Sequence, residues 1–313
     1  MPLSGFRARI AHLTHSDLYQ MMEGTDKHYR LIALDIDGTV LDSEGRVSVE
    51  LKEVLCGLTA PAVRTVLCTG RRWRSTVPVF NQLDGLCTYV VCCGGALIKE
   101  SDSGDTVFSD PLEDDAARRA ATIYRRFDMV PIFLYDEPLE EAELLVSEDD
   151  RERAEDLKYI RMNADAVSYF PGPFPKRDER CLEIYTVDRI ARVRRAIDDI
   201  RRVMGDSGAV RAMIQPRYGE DHLALEVHGP KATKWRALQW LMEEWSIEAE
   251  DVVAVGDDVN DIPMLRGAGL SFAMGNAGDR VKAVADRITS TNDEHGVAEA
   301  LRNVFADTTV REL

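Results

Sequence analysis

The stretch "LIALDIDGTV", residues 31–40, decides how the rest of the chain is read. An apolar run carries straight into Asp35 and Asp37, one residue apart, and Gly38-Thr39 follows at once. Such a run reads as a buried strand of a parallel sheet. A buried strand that ends in two carboxylates is costly unless something offsets their charge. The offset has to be sought elsewhere in the chain.

From Leu31 onward the pattern repeats as strand, loop, helix. "SVELKEVLCGL" (48–58) reads as an amphipathic helix, "VRTVLCTG" (63–70) as the next strand, and "TYVVCCGG" (88–95) as a third after a helix near 71–83. The rhythm returns at the C-terminal end. "KWRALQWLMEEW" (234–245) places Trp235, Leu238, Leu241, Met242 and Trp245 on one helical stripe. The strand "DVVAVGD" follows, then a helix around "IPMLRGA", the strand "LSFAMG", a helix near 278–285, and "GVAEALRNVF". Alternation of this kind predicts an α/β fold with a Rossmann-like parallel-sheet core.

The middle of the chain differs. "VPIFLYD", "ELLVS", "AVSYF", "CLEIYTV", "AVRAMIQ" and "HLALEV" are short strand candidates, interleaved with the helices "DDAARRAATIYRRF" and "DRIARVRRAIDDIRRVM". The expected organisation is an N-terminal arm (1–28), an α/β core (29–96 and 226–313), and an inserted α+β domain (97–225).

A formal charge of −16 argues against a broad nucleic-acid or anionic-membrane surface. It leaves room for one small phosphorylated ligand held by a few local cations. No apolar run approaches the roughly 20 residues of a membrane-spanning helix. Arg7, Arg9, His12 and His15 break up any signal-peptide core near the start, so a cytoplasmic location is expected. Six cysteines show no zinc-type spacing and read as small reduced core residues.

Ligands of an open parallel sheet collect at the carboxyl ends of its strands. The strand ends here deliver Asp35 and Asp37, then Thr69-Gly70-Arg71, then Gly256-Asp257-Asp258 with Asn260 and Asp261 beyond. Four or five carboxylates at one edge repel unless a hard cation sits among them, and an oxygen-only donor set suits Mg²⁺. Lys234 lies in the first turn of its helix, where the macrodipole disfavours a cation; a bound phosphate is one expected offset.

Together, and in this order, the segments "DIDGT", "LCTGR", "KWRAL" and "GDDVNDIPML" resemble the four motifs of the haloacid dehalogenase superfamily of phosphotransferases. The tail "AMGNAGDRVKAVADRITSTNDEHGVAEAL" is similar to its Cof-like type IIB branch, which carries a large cap between the second and third motifs. The resemblance covers roughly residues 30–305. Two positions depart from it: Trp235 stands where Gly usually follows the motif-three lysine, and Gly94 stands where the branch usually has Asn.

The resemblance implies a Mg²⁺-dependent phosphatase acting on a small phosphorylated metabolite. Asp35 would be the nucleophile that becomes an aspartyl-phosphate, and Asp37 the general acid and base. The Asp35 and Asp257 carboxylates and the Asp37 backbone carbonyl would hold the metal. Asp261 and Asp258 would hold metal waters or pair with Lys234. Thr69, Gly70, Lys234 and Asn260 would bind the phosphoryl group. Sugar phosphates come first as substrates, with flavin mononucleotide, pyridoxal phosphate or nucleotides behind them. Cap residues near Lys176-Arg177 or Arg217 would read the leaving group. The chain would act as a monomer or homodimer. The rival readings are a sugar phosphomutase and a non-catalytic binding protein of the same fold.

Overall fold

The computed structural model describes residues 29–58, 63–178, 180–214 and 218–305; the expected N-terminal arm lies outside them. Two sheets organise the described chain. The first has eight strands in the order β14-β13-β12-β1-β2-β3-β4-β5. Here β1 is Leu31–Leu34, β2 Arg64–Cys68, β3 Tyr89–Cys92, β4 Leu97–Glu100 and β5 Thr106–Ser109. On the other side β12 is Val252–Gly256, β13 Leu270–Ala273 and β14 Arg287–Ile288.

Strand β1 sits between β2 and β12 and is parallel to both. Its Leu31, Ile32, Ala33 and Leu34 are fully buried, as a strand covered on both faces should be. Each large aliphatic side chain buried this way stabilises by about 1.5–3 kcal/mol. The chain passes from β1 to β2 on one side and reaches β12 on the other only after the second sheet, so the strand order reverses at β1 and a crevice opens at its carboxyl end. Only β4 and β5, at one edge, run antiparallel to their neighbours.

The second sheet has the order β10-β11-β9-β6-β7-β8. Its strands are β6 (Ile132–Leu134), β7 (Leu144–Ser147), β8 (Val167–Phe170), β9 (Glu183–Arg189), β10 (Ala209–Ile214) and β11 (His222–His228). The pleat sorts its residues by parity. Phe133, Leu145, Ile184 and Leu225 pack under the helices Asp114–Arg126 and Ile190–Met204. Ile132, Leu144, Tyr185 and Ala224 face the other way and join the core of the first sheet.

The expected boundaries at 96/97 and 225/226 do not coincide with the edges of the sheets. Strands β4 and β5 extend the first sheet, and β11 runs through residue 226 wholly within the second. The strand "LIKE" is too short and too charged to declare itself as part of a parallel core. The short helices Arg151–Glu155 and Lys158–Met162 were not legible either. No helix among the described residues is long and apolar enough to cross a membrane.

Candidate active site

Strand register sets the site. Leu34 lies opposite Leu67 of β2 and Val255 of β12, so Asp35, Thr69 and Asp257 leave the sheet at nearly one level. Asp35 is buried, and its amide donates to the Val255 carbonyl at 3.0 Å. Lys234 opens the helix Lys234–Trp245, whose N-cap Thr233 hydroxyl accepts from the Arg236 amide at 3.1 Å. Its buried Nζ donates to Asp35 Oδ1 at 2.5 Å, Asp261 Oδ1 at 2.5 Å and Asn260 Oδ1 at 3.3 Å.

An ammonium in this first turn opposes the helix dipole at a cost of about 0.3–1 kcal/mol. In the structure the pair of carboxylates, Asp35 and Asp261, offsets it. Burial works against the charge on Lys234, yet Asp261 and Asp35 outweigh it and hold the ammonium firmly protonated. One ammonium cannot neutralise three carboxylates. Burial first, and Asp261 next, push the Asp35 carboxyl well up despite Lys234. Asp257 is pushed up to about 7 by burial, then by Asp261 and Asp258, against the pull of Lys234.

That excess of negative charge is the test of whether a divalent ion fits. Carboxylate oxygens of Asp35, Asp257 and Asp261 lie within 4.8 Å of one another. Asp261 is already committed: Oδ1 serves Lys234, and Oδ2 accepts from the amides of Asp257 and Asp258 at 3.1 Å each. It positions the lysine. Asp258 is exposed and caps the turn Val259–Asp261, accepting from the Val259 amide at 2.7 Å. Asp257 is different. The contacts of its oxygens are long, 3.4 Å from Thr39 Oγ1 and 3.4 Å from Asn276 Nδ2. Its lone pairs, with those of Asp35, suit a hard cation such as Mg²⁺. Gly38 makes room for this approach: at φ +76° it turns back, and a Cβ there would lie 2.3 Å from Asp257 Oδ2.

Thr69 is buried, and its Oγ1 accepts from the Arg71 amide at 3.0 Å, leaving the hydroxyl proton free to donate. Asn260 reaches across from the β12 side, its Nδ2 facing Gly70 while its Oδ1 meets Lys234. Asp37 is exposed, and both of its oxygens are held by Arg71, at 2.8 Å from Nε and 2.5 Å from Nη2. Asp35, Asp37, Thr69, Gly70, Lys234, Asp257, Asp258, Asn260 and Asp261 therefore lie at this one sheet edge.

Sequence reading gave no role to Thr39, Arg71 or Asn276. The first two stand inside the motif segments and were open to notice; Asn276, which donates to the Gly38 carbonyl at 2.8 Å, had no spacing to mark it. The two departures from the family pattern are filled. The Trp235 ring occupies the space that a side chain at position 267 would need. At Gly94 (φ +62°), a Cβ would collide with the guanidinium of Arg211 on β10, which also donates to the Ala232 carbonyl at 2.5 Å. The expected cap residues fall elsewhere. Arg177 pairs with Glu137, and Lys176 lines a cavity with Phe133 and Tyr135 on the helix-covered face of the second sheet. Arg217 lies outside the described residues.

The chain matches the family of haloacid dehalogenase-like hydrolases over residues 32–301. Phosphatase YwpJ of Bacillus subtilis (strain 168) is 29% identical over 295 residues, spanning 88% of this chain and 100% of the relative. The 5-amino-6-(5-phospho-D-ribitylamino)uracil phosphatase YwtE of the same organism is 27% identical, spanning 86% and 96%. A crystal structure of a haloacid dehalogenase-like hydrolase from Bacteroides thetaiotaomicron superposes with a TM-score of 0.73 at 26% identity, covering 88% of this chain and 100% of that one. With the fold, the ordered motifs and their convergence on one sheet edge, the chain belongs to the haloacid dehalogenase-like hydrolases.

Proposed function

We propose that this hydrolase is a Mg²⁺-dependent phosphatase that cleaves small phosphate monoesters through a phosphorylated Asp35. Its phosphatase character is supported by the family and by relatives named as phosphatases. The observation that carries the finer reading is the convergence of Asp35, Lys234 and Asp257 on one buried spot.

Asp35 attacks phosphorus and the ester oxygen departs, which splits one difficult displacement into two easier ones. Lys234 holds the Asp35 carboxylate in place and faces the phosphoryl oxygens. The Thr69 hydroxyl, the Gly70 amide and Asn260 orient the same oxygens. Phosphoryl transfer rewards such positioning and charge stabilisation above all. Asp37 gives a proton to the departing alkoxide and then takes one from the water that cleaves the intermediate, and for this its pair with Arg71 must open. Bound to the carboxylates of Asp35 and Asp257 and the backbone carbonyl of Asp37, Mg²⁺ would neutralise charge on the transferring group. The second sheet serves as a cap that excludes water.

Sugar and sugar-alcohol phosphates are the first substrate class. A relative named for a phosphoribityl substrate supports it. Flavin mononucleotide, pyridoxal phosphate and nucleotides belong in the same assay. The test is phosphate release from a panel of phosphorylated metabolites, with and without Mg²⁺, by the native chain and by Asp35→Asn. Mg²⁺-dependent release by the native chain alone is expected. Release by the variant at a near-native rate contradicts the assignment.

A further inference from the structure

Outside the catalytic edge, the second sheet buries another set of metal-type ligands: Glu183 on β9, with Glu226 and His228 on β11. The pleat brings them together, since Glu183 pairs with His228 across the strands and Glu226 lies two residues before it. Two buried carboxylates this close need a counter-charge. Among the described residues no Lys or Arg side chain is paired with either. Arg211, opposite Glu226 in register, donates to the Ala232 carbonyl, and with Arg72 it offsets only part of the push that burial and Glu226 exert on the Glu183 carboxyl, which is held well up.

The imidazole supplies an independent observation. His228 is 1% exposed, and its Nε2 meets Glu226 Oε2 at 3.1 Å. With Glu226 as the acceptor the proton sits on Nε2, and the lone pair of Nδ1 is left over. Nδ1 is buried without a hydrogen-bond partner, and the atom it faces is Glu183 Oε2 at 3.7 Å. Two lone-pair atoms at that separation are too far apart for a direct hydrogen bond. An ion about 2.0–2.2 Å from each would bridge them. The Glu226 carboxylate then does for His228 what outer carboxylates do for metal-bound imidazoles: it fixes the tautomer and the ring.

We propose that Glu183 and His228 Nδ1 bind a second divalent cation, with Glu226 as orienting partner, at a site separate from Asp35 and Asp257. A nitrogen donor beside carboxylate selects a borderline ion such as Zn²⁺ over Mg²⁺. The site lies on the face of the second sheet turned toward the first, since Arg211 from the same face reaches Gly94.

The test uses the full chain carrying Asp257→Asn, which disables the catalytic metal site, stripped of metal and titrated with Zn²⁺. One equivalent bound per chain is expected. Adding His228→Gln should abolish it, and adding Glu226→Gln should weaken it by about 10–100-fold. Co²⁺ titration of the same Asp257→Asn chain needs no change in the cap and should give visible absorption of an imidazole-carboxylate site. No Zn²⁺ bound, or full binding retained in the His228→Gln chain, overturns the proposal and leaves a water between Nδ1 and Glu183. Because the readout is metal content, it stands apart from phosphatase activity.

Discussion

Lys234 is the residue on which the charge balance of the site turns. Lys234→Met removes the cation shared by Asp35 and Asp261 and leaves both buried carboxylates without it. Breaking a buried pair from one side costs about 3–5 kcal/mol, so urea denaturation at neutral pH should show a loss of that order. Adding Asp261→Asn should recover part of it, because one of the stranded charges is then gone. Asp37→Asn should leave stability nearly unchanged, since Asp37 is exposed, while slowing turnover by about 10²–10⁴-fold. A pH effect follows from Asp257. Its carboxyl, pushed up to about 7, keeps a proton in the folded metal-free chain over a range where the unfolded chain has lost it. The folded state therefore binds more protons between about pH 4 and 7, and its stability falls as pH rises through that window. A divalent ion needs the deprotonated carboxylate, so its affinity should fall by up to about tenfold per pH unit below 7. Calorimetric Mg²⁺ titrations across pH 5.5 to 8, values chosen to bracket about 7, check this; an affinity independent of pH would count against Asp257 as ligand.

At the level of the element, the N-terminus of the helix Lys234–Trp245 matters most, because it carries Lys234 into the site. Thr233→Ala loses the cap on the Arg236 amide and should cost about 0.5–2 kcal/mol, measurable as a lower denaturation midpoint. Strand β1 was legible from four apolar residues ending in aspartate, and its neighbours β2 and β12 from the same pattern. Ligands of a parallel sheet collect at the carboxyl ends of its strands, which is why residues distant in sequence could be assigned to one edge from sequence. The register that levels them comes from the structure. β4 and β5 were not legible. Their short sequences carry Lys99, Glu100 and Ser109, and they are held in the sheet by pairing with β3 and each other rather than by an apolar run. Arg71 is a similar case: its sequence position was plain, but the partner it holds, Asp37, depends on how the loop after β1 turns at Gly38.

In the whole molecule, polar contacts join the two sheets. Arg72 from the catalytic edge pairs with Glu143 beside β7, and its Nη2 donates to Asn163 at 2.5 Å. Arg211 bridges in the other direction to Ala232. Glu143→Ala should strand the nearly buried Arg72 and loosen this junction, seen as faster hydrogen exchange in Leu144–Ser147; unchanged exchange would show that the junction rests on apolar packing instead. Sequence reading reached the presence of a capping domain but not these contacts. They depend on which basic residues happen to face the gap, and charge alone does not distinguish Arg72 and Arg211 from Lys176 and Arg177. The proposed chemistry puts the phosphoryl group on Asp35 itself. Its most direct test is to quench the chain during turnover of p-nitrophenyl phosphate with Mg²⁺, reduce with borohydride, and map the modified residue by mass spectrometry. Homoserine at position 35 is the predicted result. An unmodified Asp35, or homoserine at another aspartate, would contradict it.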